Sequence, residues 1–416
     1  MIAGSHWAFR PHKSSLLTLL AFAVLCLTLG FSKPGFASDY YVSPSGRDSN
    51  PCTFVSPCYT LGAAGSHAHP GDTVHALPGN YTYVPGQTTL SGTGTGNAPI
   101  TFVSDTKWGA KITTTGTGNV CVLCTGGDYE IIQNFDISSG RTKGAGIAIY
   151  DAHNYVHIIG NKIHDITNAC NSNGVEGTQD KLGAIGTKVI GNVIYNIDWP
   201  ESNCHTTQAI YTIAKDSVIA NNIIWHSGTD GIAIAGGYEL VTNNLSFSNE
   251  MAGIIIANNG GAYGPDDYNI IENNMVFNNG LDSRQQHGGL AIYDANQSIG
   301  PHQQFISNDV YGNAGGEYNV YGKTRGSITS YGAITGRISV DPLLGTTFVK
   351  WSADGALGIY RLKAGSPAID AGGHVGASWA PIPTTDFDGM FRPQGAGYDI
   401  GPYEYTPNKP LMREGK

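Results

Sequence analysis

The sequence predicts an all-β solenoid, and three observations carry that prediction. Glycine is abundant, at 57 of 416 residues, while charged residues make up only 13%. Short β-branched runs are broken by Gly, Asn, Asp and Ser, as strands are by turns, and no stretch shows the 3.6-residue apolar period of a helix. An apolar-polar-Asn pattern also returns at spacings of 22 to 35 residues. A unit that short cannot bury an apolar face alone. Stacked units can, because each strand bonds to its equivalent in the next coil.

The N-terminus reads as an export signal. Arg10, His12 and Lys13 precede an apolar run from Leu16 to Leu29, and Gly35 and Ala37 supply small residues for cleavage before Ser38. The run is short for a membrane span, and no later segment is apolar enough to form one. The expected organisation is a signal peptide at 1–37, a solenoid at 38–340, and a closing segment with a tail at 341–416. Removing the signal leaves 20 basic and 32 acidic side chains. That balance argues against nucleic acid as a partner, and an anionic polymer would need a bridging cation. Six cysteines remain, close in sequence as Cys52/Cys58, Cys121/Cys124 and Cys170/Cys204. Disulfides are expected after export, metal ligation is the rival reading, and the connectivity stays open.

The repeat itself has two columns. The first runs through "IIQNFDI" (131–137), "IIGNKI" (158–163), "VIGNVI" (189–194), "VIANNI" (218–223), "LVTNNL" (240–245), "IIENNM" (270–275) and "FISNDV" (305–310). Its asparagines are Asn134, Asn161, Asn192, Asn221, Asn243, Asn273 and Asn308. Stacked at one bend, their amides can bond from coil to coil as a buried ladder. In the Asn-Asn pairs, one residue should enter the ladder while its neighbour turns the backbone. The second column runs through "GIAIYDA" (146–152), "AIYTIAK" (209–215), "GIAIAGG" (231–237), "GIIIANN" (253–259) and "GLAIYDA" (289–295), with "GVEG" (174–177) a weaker member.

These columns resemble the right-handed parallel β-helix of the pectate lyase-like superfamily. The start, "YYVSPSGRDSNPCTFVSPCYTLGAA" (40–64) and "HPGDTVHALPGNYTY" (69–83), resembles the first coils of secreted members. The end, "SPAIDAG" (366–372), "DFDGMFRP" (386–393) and "DIGPYE" (399–404), resembles their closing segment. The likeness covers nearly all of 39–405. It implies the fold, a long side suited to an extended polysaccharide, and a superfamily of lyases, hydrolases, epimerases and non-catalytic adhesins. A monomer is expected.

Read as a strand, the second column points Ile147/Ile149, Ile232/Ile234, Ile254/Ile256 and Leu290/Ile292 inward and leaves Ala148, Ala233 and Ala291 outside, a smooth face. Chemistry must then gather at its edges. At the far edge lie Asp151, Asp180, Lys215 and Asp216. Stacked carboxylates could hold Ca²⁺ through Asp151, Asp180 and Asp216. Lys215 could take the proton α to a uronate carboxylate, as the resemblance to calcium-dependent lyases implies. At the near edge lie Glu176, His205, Asp230, Glu250 and His287. Glu176 and Asp230 could act as acid and base in glycoside hydrolysis, with His205 a further catalytic candidate. Tyr150, Trp199, Tyr211 and His287 are the candidates to contact sugar, while Trp225 is expected to stack inward. His164 and His226 are expected to be structural, as are the acids of the closing segment, which should cover the last coil. "YDAHN" (150–154) shares an Asp-x-His with alginate epimerases of this fold, but Ala152 stands where proline is expected. The leading expectation is an exported polysaccharide-degrading enzyme, a calcium-assisted lyase ahead of a hydrolase. The alternative from another class is a non-catalytic glycan-binding scaffold, which the smooth alanine face favours.

Overall fold

A computed structural model describes residues 37–115, 120–139, 144–150, 153–167, 172–177, 184–199, 206–257, 266–282, 287–322, 326–345 and 360–407. Three parallel sheets dominate them. The first has eleven strands, beginning with Asp39–Val42 and ending with Gly332–Thr335. The second has nine, from Gly79–Tyr83 to Asp309–Tyr311, and the third has eight, from Cys121–Cys124 to Tyr318–Gly322. From Ile100–Ser104 onward the chain visits first, second and third sheet in turn and then repeats, so sheet neighbours there are one coil apart. This is a parallel β-helix. Among the described residues no helix is long and apolar enough to cross a membrane.

Register stacks like on like inside. In the first sheet Phe102, Ile132, Ile158, Val189, Ile219, Val241, Ile271 and Phe305 are consecutive partners. In the second, Ile112, Ile137, Ile163, Ile194 and Ile224 follow one another. All are at most 1% exposed, each burial contributing about 2–3 kcal/mol. The strands are buried on a flat three-sided core, which is why β-branched residues recur there. Gly253 and Gly289 open strands of the third sheet, where an added Cβ would collide with Val276 and Val310 of the second. That tight corner explains the recurring glycine before the apolar run.

The ladder exists, in a different register at four coils. Its rungs are Asn161, Asn192, Asn222, Asn244, Asn274 and Asn308, each amide donating to the next side-chain oxygen at 2.9–3.1 Å. Each oxygen also accepts a backbone N–H from the preceding coil. The second amide hydrogen reaches a backbone carbonyl one coil back. Asn134, Asn221, Asn243 and Asn273, expected as rungs, instead hold the left-handed bend one residue earlier, with φ between 56° and 65°. Gly160 and Gly191 hold the same position in their coils, and Phe135 takes the rung position after Asn134, its N–H donating to Asn161. Asparagine tolerates that backbone region better than most residues. A second ladder, absent from the sequence reading, joins Asn249, Asn279 and Asn313 at the next bend, at 2.9 Å per step.

The closing segment lies along the side of the helix, on its middle coils, rather than over the last coil. The left-handed asparagines hold it there. Asn221 donates to the Thr385 carbonyl, Asn243 to those of Asp399 and Gly401, and Asn273 to that of Gly373. Under it, the outer face of the second sheet turns from charged to apolar. Lys111, Asp136 and Lys162 are succeeded in register by Val193, Ile223, Leu245 and Met275. Tyr195, Trp225, Phe247 and Phe277 stack beside them and bury against Tyr360, Leu362, Ile400 and Tyr403. Trp225, expected to stack inward, is thus buried on the outer side, beneath this strap. Cys52 is paired with Cys58 as a disulfide, and Cys121 and Cys124 lie together as a second close pair. Cys170 and Cys204 lie outside the described residues.

Candidate functional site

The third sheet carries the candidate site on its outer face. One outward column runs Cys124, Ala148, Glu176, Tyr211, Ala233, Ile255, Ala291 and Asn319. Glu176 and Tyr211 are direct register partners, so the one carboxylate and one phenol of this column stand side by side, both partly exposed. Burial pushes the Tyr211 hydroxyl up to about 12, helped by the charges of Glu176, Asp266 and Glu239. It is therefore a hydrogen-bond donor at neutral pH and a poor base.

Glu239 lies behind this pair, at the inner edge of the first sheet. It is fully buried and accepts from Thr212 Oγ1 at 2.8 Å. Burial, the Thr212 bond notwithstanding, holds its carboxyl well above the usual range. Sequence reasoning missed it because an acid ahead of a strand reads as a solvated turn. The equivalent positions Thr187, Ser217, Asn269 and Gln303 form a buried polar column with it, and Val156 separates that column from a further buried acid, Glu130. Only that alignment reveals it.

At the far edge Lys215 belongs to the short pair Ala184–Ile185 and Ala214–Lys215. Its ammonium sits over the Tyr238 ring, 5.4 Å from the centroid, and it makes no ion pair among the described residues. Asp216 follows in the left-handed bend at φ 55°, the position filled by Tyr129, Tyr155, Tyr238 and Tyr268 in other coils. Asp151 and Asp180 lie outside the described residues. Within the described residues, no three His, Cys, Asp or Glu side chains are placed to hold a metal.

At the near edge Asp230 is buried and accepts the Ala252 N–H at 2.9 Å. It stands two strands from Glu176 and three residues before the equivalent position, Ala233. His205 lies outside the described residues. His287 packs on Tyr321, with ring centroids 4.2 Å apart. Tyr321, another residue the sequence reading did not select, rests with Tyr211 against Ala233, Ala252, Ile255 and Ala291. The alanines thus form a shelf for two tyrosine rings. Burial and the Asp230 charge both raise the Tyr321 hydroxyl.

Tyr150 is on the third sheet's side of its coil, partly exposed, packed against Cys121, Cys124, Ala145 and Ala148. Trp199 stacks on His226 at 4.5 Å, and His226 itself bonds Asn196 on the second sheet's flank. That pairing sets Trp199 apart from Glu176 and Tyr211 in the fold. His164 is clamped between Asp136 and Asp165 at 2.8 Å each. Burial opposes its charge, but the two carboxylates outweigh that and raise it. Asp267 is a turn carboxylate paired with His302 at 2.7 Å.

No protein-family model matches the chain, and no curated protein matches it either. Solved structures do. Pectate lyase Pel9A shares 16% identity, covering 89% of this chain and 96% of its own, at a TM-score of 0.57. An alginate lyase from Paenibacillus sp. str. FPU-7 shares 20%, covering 72% and 95%, at 0.53. A rhamnogalacturonan lyase shares 14%, covering 74% and 91%, at 0.52. At these identities the likeness establishes the fold, and this chain shares the parallel β-helix of those three proteins.

Proposed function

We propose that the protein is an exported enzyme that cleaves an extended polysaccharide lying along the outer face of the third sheet, by β-elimination at a uronate. The carrying observation is the Glu176–Tyr211 pair on a face otherwise lined by Ala, Ile, Cys and Asn. A polar pair on a smooth parallel sheet offers directional contacts to hydroxyls where nothing else competes. The three solved structures compared above are polysaccharide lyases by name, which supports the same class.

In this reading Lys215 removes the proton α to the uronate carboxylate. The electron pair forms the C=C bond and expels the glycosidic oxygen at the β carbon, which takes up a proton from water to become the new hydroxyl, leaving an unsaturated sugar on the other fragment. Tyr211, kept protonated by burial and its acidic neighbours, donates to a substrate oxygen. Glu176 accepts from a sugar hydroxyl. Calcium enters the proposal only through Asp151, Asp180 and Asp216. The described residues alone do not make a site for it.

Hydrolysis by Glu176 with Asp230 is the second reading, favoured by a face whose side chains are mostly neutral or acidic. Against it, Asp230 is buried and already committed to the Ala252 amide.

The test is mass spectrometry after incubation with uronic and neutral polysaccharides, with calcium and with chelator. Fragments one water lighter than hydrolysis products, lost in Lys215→Ala by a factor of about 10² or more, are expected. Fragments that have gained water would replace elimination with hydrolysis. An unchanged panel would leave a glycan-binding scaffold. Loss of turnover on chelation would bring calcium into the mechanism, and its persistence would remove it.

A further inference from the structure

We infer that Tyr293 is a distal sugar platform on the same face. The inference rests on the polysaccharide reading above and adds a subsite to it. Tyr293 lies in a second outward column, with Ala257 before it and Tyr321 after it in register. It is 41% exposed. Among the described residues it makes no ring contact and no hydrogen bond. Its register neighbour toward the middle of the sheet is Ala257, so no ring in its own column lies on that side.

The corner tyrosines differ in this respect, and Tyr311, equally exposed, lies on the second sheet. Tyr129 and Tyr155 stack at 4.6 Å with 9° between planes, and Tyr238 and Tyr268 at 5.1 Å with 16°. Such stacks cover ring faces and leave edges to solvent. A pyranose binds an aromatic ring through CH groups against the face, so the corner stacks are poor platforms and Tyr293 is a good one. Tyr321 cannot take the role: its ring lies against His287 and the alanine shelf.

Position sets the consequence. Three strand steps separate Tyr211 from Tyr293, about 14 Å along the helix axis. A monosaccharide at Glu176 and Tyr211 cannot reach Tyr293, whereas a chain running along the axis can. Tyr293 therefore selects for length, by binding rather than by chemistry.

The experiment measures KM and kcat for oligosaccharides of increasing length from the polysaccharide that the protein cleaves, using wild type, Tyr293→Ala, Tyr293→Leu and Tyr293→Phe. Removing the ring should raise KM roughly 3- to 10-fold for long chains and leave it unchanged for the shortest substrates. The kcat should hold, and the Phe variant should behave as wild type. An unchanged KM on long chains in Ala and Leu, with turnover intact, overturns the platform and leaves the polysaccharide reading standing. An equal rise for short and long chains overturns it as well. A wild type that cleaves none of the glycans removes both.

Discussion

An asparagine in this chain has two different jobs, and adjacent residues do them. Asn244 points inward with all its hydrogen-bonding capacity used, while Asn243 turns the backbone at φ 56° and holds the strap outside. Replacing Asn244 by Ala leaves Asn222 without its acceptor, the Asn222 backbone N–H unpaired, and the Asn274 oxygen short of a donor. Buried groups left unpaired cost about 1–3 kcal/mol each, so Asn244→Ala should destabilise by about 3 kcal/mol or more. Asn243→Gly keeps the bend but loses two bonds to the strap and the one accepted from Thr242 Oγ1, so it should cost about 2 kcal/mol. Urea unfolding of both variants checks the order. Equal losses would mean that the ladder contributes no more than the strap contacts.

The strap is the element that the sheets do not explain. Arg392 and Glu404 form a fully buried ion pair at 2.6 Å, and Arg392 also reaches Asn221 and the Gly401 carbonyl. Burial lowers Arg392, while the surrounding carboxylates of Glu404, Asp386 and Asp399 support its charge. Breaking one side of such a pair costs about 3–5 kcal/mol. Arg392→Ala should therefore loosen the strap and uncover the Tyr195–Trp225–Phe247 column, seen as a red shift of tryptophan emission before global unfolding. A single transition without that shift would show that strap and solenoid unfold as one.

At the scale of the molecule, buried acids set the pH response. Burial, against two backbone hydrogen bonds, lifts Glu130 from 4.5 to about 8, and burial lifts Asp309 from 3.8 to about 7. The folded state holds these protons more tightly than the unfolded chain does. Their stabilisation is complete below the unfolded values and is lost as pH rises through the folded ones. The raised His164 works in the same direction. Asp136 and Asp165 are held low, so their contribution fails only in acid below their ordinary range. His157, held down to about 4 by burial, and His226, also lowered by burial, pull the other way below about pH 6.5. Stability should therefore fall as pH rises from about 6.5 to about 8, and Glu130→Gln should flatten the slope. Urea midpoints across that range decide it, and an unchanged slope in the variant would exclude Glu130 as its source.

Periodicity determined the fold class, the inward isoleucines, the existence of a ladder and the bend that carries it. These follow from local rules: strands alternate, turns need special residues, and a repeat must bury its face on its neighbours. Even the rung register was within reach, since "GN" in "IIGNKI" and "VIGNVI" places glycine at the turn and asparagine in the ladder. The same holds for Tyr293, because "GLAIYDA" repeats the "GIAIYDA" that singled out Tyr150. What only the tertiary structure decided is what comes together across coils. Glu176 meets Tyr211, Glu239 is buried behind them, Lys215 lies on Tyr238, and the closing segment lies along the middle coils. Those outcomes depend on insertion lengths and on register between strands 22 to 35 residues apart, which no local pattern in the chain encodes.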